Sequence, residues 1–140
     1  DMVAAARDLA GGVGALQAAG ARYIIVSDLP DVGSTPLGAA NNVTDYWNSL
    51  STEFNTELAS RLQAQGGNYV LVNNRLLLNE VRAELAAFGF DPNVAQTAVC
   101  FDPSSLTSPC LPDSTYSLGG TAPDPNRLMF NDGVHPTTAV

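Results

Sequence analysis

The sequence predicts an α/β domain, a parallel sheet flanked by helices. Residues 22–28 and 69–72 are short, nearly continuous apolar runs, as strands covered on both faces tend to be. Helix-compatible segments alternate with them, which implies βαβ units. Glycines stand where the helices would stop, at Gly20, Gly66-Gly67 and Gly89.

Residues 1–19 are alanine-rich and helix-compatible. Val3, Leu9, Val13 and Leu16 share a face, although Gly11, Gly12 and Gly14 weaken the propensity. Residues 22–28 form the first buried strand. Residues 29–44 read as a loop, with Pro30, Gly33, Pro36, Gly38 and Asn41-Asn42. A second helix starts at Asp45 or Ser51 and runs to Gln65. Its apolar stripe is Trp47, Leu50, Phe54, Leu58 and Leu62. Residues 69–72 form the second buried strand. Residues 76–88 form a third helix, with Leu78, Val81, Leu85 and Phe88 inward. Residues 91–127 are mostly loop, and a loop of that length is usually functional or covalently pinned. Leu128-Met129-Phe130 then leads into a turn at residues 132–135. Ligand sites in such sheets lie at the C-terminal ends of strands. Asp28, Asn73, Asn74 and the 132–135 turn all follow strand-like runs, so they are expected to gather at one edge.

At 140 residues, the chain is one domain's worth. With 45% apolar and 14% charged residues it reads as globular. The net charge is -8, with six arginines and no lysine. That balance argues against phosphate-backbone binding and against docking on anionic lipid by charge. No apolar run approaches the roughly 20 residues of a membrane span. The first residues lack the basic and apolar regions of a signal peptide, so the N-terminus is a mature start or a cut inside a longer chain. Cys100 and Cys110 bracket a Pro/Ser-rich loop. A disulfide there would stabilise by roughly 2–3 kcal/mol and suggests an exported protein; the alternative is two free thiols. Two cysteines and one histidine are too few for a typical zinc site, and no metal or cofactor is implied.

The single histidine, His135, lies in Asp132-Gly133-Val134-His135-Pro136-Thr137. An acid three residues before a histidine can fix its tautomer through one ring nitrogen. The other nitrogen is then free to take a proton from a nucleophile. Pro136 disfavours a helical His135 and suits the first position of a following helix. The competing reading is a surface turn with a solvated histidine. No Gly-x-Ser-x-Gly elbow and no Gly-Asp-Ser occurs. Ser34 is a weak candidate nucleophile, whereas Ser104, Ser105 and Ser108 look structural, and a cysteine nucleophile would require reduction. Asp28 and Asp31 flank Pro30 as caps or turn residues. Glu53, Glu57, Glu80 and Glu84 lie on polar helix faces, where pairing with Arg82 gains little. Asn42-Val43-Thr44 matches a glycosylation sequon, a motif frequent by chance.

Taken together, these segments resemble the GDSL, or SGNH, family of serine esterases and lipases. Residues 132–137 resemble the family's last motif, where Asp and His complete a triad. Ala21 to Val26 followed by Leu29 to Pro36 resembles the strand and loop after its third motif. Phe54-Asn55 with Leu58 and Leu62 resembles the next helix. Phe88-Gly89-Phe90 with Cys100 and Cys110 resembles the bacterial branch that includes autotransporter esterases. The resemblance implies a three-layer, flavodoxin-like fold, incomplete at its N-terminus, of which residues 1–140 are the C-terminal portion. It implies an exported carboxylic-ester hydrolase acting on ester or lipid substrates, with Asp132 and His135 catalytic. The family's Gly-Asp-Ser nucleophile and oxyanion residues do not occur here. They would come from a missing N-terminal segment, and that segment or an oligomer partner would complete the sheet. A non-catalytic binding or structural module that keeps the fold is the alternative.

Overall fold

A computed structural model describes residues 1–100, 116 and 123–140. Its first helix, α1 (Met2–Ala18), starts where the Asp1 carboxylate accepts hydrogen bonds from the Val3 and Ala4 amides. It ends at Ala19, followed by Gly20 in the left-handed region at φ 92°. The strands β1 (Ile25–Ser27) and β2 (Val70–Val72) pair in parallel, with Val26 opposite Leu71. Between them lie a 3-10 turn (Val32–Ser34), a short helix α2 (Pro36–Ala40) and the long helix α3 (Thr44–Gln65). Helix α4 (Asn74–Ala83) follows β2, and a second 3-10 turn (Pro125–Arg127) precedes the final segment.

The first core forms where α1 and α3 pack on one face of the sheet. Ala6, Ala10 and Val13 of α1 meet Ile24, Val26, Phe54, Leu58 and Leu62. Full burial of a leucine such as Leu58 or Leu62 contributes about 1.5–3 kcal/mol. The α1 stripe differs from expectation: Leu9 and Leu16 are exposed, and the helix instead approaches α3 through its alanines. Small side chains permit that close approach. The α3 stripe is buried as expected at Phe54, Leu58 and Leu62, joined by Ser51.

The two strands are shorter than expected and are not buried runs. Among the described residues their second face is bare: Ile25 is 76% exposed, Val70 62% and Val72 36%. Side chains alternate across a strand, so Val26 faces the helices while Ile25 faces away. Among the described residues the sheet has two parallel strands, with α1 and α3 packed on one of its faces.

Helix α4 stops at Ala83, short of the expected Phe88, and the chain continues through successive turns to Gly89 at φ 87°. Val81, Leu78 and Leu85 still point inward, whereas Phe88 is exposed. They build a second core with Phe90, Ala95, Ala98, Met129 and Phe130. Here the 128–130 segment is fixed by a parallel bridge between Ala98 and Phe130 and an antiparallel one between Phe130 and Pro136. The helix expected after Pro136 does not form within the described residues. Instead the Thr137 hydroxyl donates to the Leu128 carbonyl at 2.8 Å. No described helix is long and apolar enough to cross a membrane.

Candidate functional site

The 131–135 turn is fixed at its base by backbone pairing. The Asn131 amide donates to the His135 carbonyl at 2.8 Å, and the Cys100 amide donates to the Asn131 carbonyl at 3.0 Å. Inside the turn, Asp132 Oδ1 accepts from the Val134 amide at 2.8 Å and from the His135 amide at 2.7 Å. The same carboxylate faces the imidazole, with His135 Nδ1 lying 2.9 Å from Oδ2 and 3.1 Å from Oδ1. Asp132 is 5% exposed. Burial pushes its carboxyl up, but the hydrogen bonds from the His135 and Val134 amides and from the imidazole outweigh burial. The net result is a carboxyl held below the ordinary range. The His135 side chain is 64% exposed, and Nε2 makes no hydrogen bond to the described residues. One ring nitrogen is therefore anchored to a carboxylate and the other is open, as general base catalysis requires.

A second contact holds this turn against α2. The Leu37 amide, in the first turn of α2, donates to the Gly133 carbonyl at 2.9 Å. Helix α2 lies in the stretch read as a loop. Its signal was present in Thr35-Pro36: Thr35 Oγ1 accepts from the Gly38 amide, and proline occupies the first helical turn. The close fit of this region rests on glycine. A Cβ on Gly33 would lie 2.1 Å from the Thr44 carbonyl oxygen, and one on Gly38 would lie 2.3 Å from the Gly33 carbonyl oxygen.

The strand ends gather as expected. The Asp28 carboxylate accepts from the Arg75 amide at 3.1 Å, Asn74 Nδ2 donates to the Ser27 hydroxyl, and Asn73 caps α4. Asp31 forms an ion pair with Arg75 Nε at 2.8 Å and accepts from Asn79 Nδ2 at 2.9 Å. It is thus a bridge to α4 rather than a local cap. Beside these groups opens a recess of about 280 Å³, with Ser34, Asn74, Leu77, Met129, Val134 and Pro136 among its walls. Sequence reasoning did not find it, because its walls come from segments far apart in the chain.

The chain is 41% identical over 117 residues, 84% of its length, to the protein named esterase EstA in Pseudomonas aeruginosa. The same figures hold for the protein of that name in Pseudomonas putida. It is 37% identical over 139 residues, 99% of its length, to an uncharacterised protein encoded in the trpE–trpG intergenic region of Pseudomonas putida. The chain spans 18% of each esterase and 23% of the third protein. No family model matches it.

Ser34 accepts from Asn48 Nδ2 at 3.1 Å and makes no hydrogen bond to His135, so the described residues do not pair it with a base. Cys100 is buried, whereas Cys110, Ser104, Ser105 and Ser108 lie outside the described residues, and so does the expected Cys100–Cys110 pairing. Asn42 sits in a turn with φ 56° between α2 and α3, and the sequon begins there. Glu57 pairs with Arg7 and Arg61 on the surface, which holds its carboxyl low. Arg82 donates to Gln96 at 3.1 Å rather than to a helix glutamate. Among the described residues no three His, Cys, Asp or Glu side chains gather as a metal cage.

Proposed function

We propose that this chain supplies the acid–base half of a GDSL/SGNH-type serine esterase. The observation that carries the reading is His135, with Nδ1 on the buried Asp132 carboxylate and Nε2 clear of the described residues. It stands in a chain 41% identical to a segment of proteins named esterase. His135 takes the proton of a serine hydroxyl that lies outside this chain, as the serine attacks an ester carbonyl. It then delivers that proton to the leaving alcohol. Asp132 fixes the tautomer and stabilises the imidazolium that forms between the two steps. The oxyanion donors also lie outside the chain. The two cysteines of the sequence fit a protein that works outside the cytoplasm.

Treating the full-length protein with a fluorophosphonate and mapping the labelled peptide tests this reading. The expected result is one modified serine outside residues 1–140, labelled far more slowly in His135→Ala. Failure to label any serine would remove the esterase reading and favour a non-catalytic module.

A further inference from the structure

We infer that Thr137 is a positioning residue for His135: its hydroxyl closes the base of the hairpin whose tip carries the Asp132–His135 pair. The inference deepens the esterase reading and rests on it.

Phe130 and Pro136 face each other in an antiparallel bridge, and the 131–135 turn is the loop between them. On either side of such a bridge, facing residues of an antiparallel pair exchange two backbone hydrogen bonds. Here each flanking pair makes only one. The Asn131 amide donates to the His135 carbonyl at 2.8 Å, and the Thr137 amide donates to the Met129 carbonyl at 2.8 Å. The return donors are committed elsewhere. The His135 amide is on Asp132 Oδ1 at 2.7 Å, and the Met129 amide is on the Ala95 carbonyl at 2.7 Å.

The Thr137 side chain adds the missing tie. Its hydroxyl donates to the Leu128 carbonyl at 2.8 Å, and its oxygen accepts from the Ala139 amide at 3.3 Å. Among the described residues no backbone amide donates to the Leu128 carbonyl. The place is dry: Thr137 is 9% exposed, Leu128 1% and Met129 0%. Water cannot take over a bond lost there without the backbone moving apart.

Only Pro136 separates Thr137 from His135, and its ring fixes φ. The tip is tied separately, by the Leu37 amide on the Gly133 carbonyl. A slip at the base therefore moves His135 against a tip that stays in place.

The test uses the full-length protein and p-nitrophenyl butyrate. Thr137→Val keeps the shape and loses the donor, whereas Thr137→Ser keeps the donor. In Thr137→Val, kcat should fall roughly 10- to 100-fold with KM little changed, and Thr137→Ser should restore most of it. A valine variant that melts earlier but turns over at the wild-type rate when folded would overturn the inference. So would equal losses in valine and serine. Thr137→Cys, a weaker donor, should fall between the two, which keeps the test decisive if the valine variant does not fold. Imidazole ¹⁵N shifts of His135, assigned against His135→Ala, read the positioning without turnover. Wild type and Thr137→Ser should show one tautomer, with the proton on Nδ1, and Thr137→Val a mixture. That contrast in a protein that hydrolyses no ester would support the positioning role, and only the esterase reading would fail. Identical shifts in all three proteins would overturn the inference.

Discussion

Asp132 performs two tasks with one carboxylate. Oδ1 closes the turn by accepting two backbone amides, and both oxygens face His135 Nδ1. The sequence revealed the second task, because three residues of spacing within a turn leave few other places for the two side chains. It did not reveal the first, which depends on the backbone path through Gly133 and Val134. Asp132→Asn keeps the shape but cannot hold the same tautomer. We expect kcat on a short-chain ester to fall by roughly 10³–10⁴ with the fold retained. The same carboxyl links stability to pH. Its folded pKa lies below the unfolded value of about 3.9. The stabilisation is therefore complete above that pH and is lost as pH falls through the lower folded value. Urea unfolding of wild type and Asp132→Asn should differ at neutral pH, and the gap should narrow below about pH 4. A gap independent of pH would contradict the assignment.

Elements were legible where periodicity was long and obscure where it was short. The 22 residues of α3 show their stripe in sequence, and the structure buries Phe54, Leu58 and Leu62 of it, leaving Trp47 and Leu50 half-buried. The five residues of α2 are too few for a period, and only the Thr35-Pro36 cap betrays them. Yet α2 carries the Leu37 amide that holds Gly133, so a short element positions the site. Glycine placement makes this testable. Gly33→Ala drives a Cβ into the backbone of Thr44, which cannot rotate away. It should destabilise by about 3 kcal/mol, the upper end of ordinary overpacking. Gly11→Ala, in open space on α1, should instead stabilise by up to about 1 kcal/mol. Thermal unfolding of the two variants should move in opposite directions, and equal shifts would refute the packing account.

Across the whole molecule, what the sequence could not supply is the surface that covers an apolar run. Residues 22–28 and 69–72 read as buried strands because their composition is that of covered strands. Among the described residues, one sheet face has α1 and α3 on it and the other has nothing. Exposed apolar faces of this kind invite association. The 140-residue chain prepared alone should self-associate, and Val70→Lys should shift it toward monomer in sedimentation velocity. The same change in the full-length protein should lower stability if that face is covered there. A monodisperse, monomeric wild-type chain would contradict the expectation. The site does not depend on that face. The Asp132–His135 pair is local, buried on the acid side and open on the base side.

The most direct measurement is kcat/KM of the full-length protein on p-nitrophenyl butyrate, wild type against His135→Ala, with circular dichroism confirming an unchanged fold. A base that accepts the serine proton predicts a loss of at least about 10³-fold. Wild-type activity in the folded His135→Ala protein would contradict the assignment of His135 as that base.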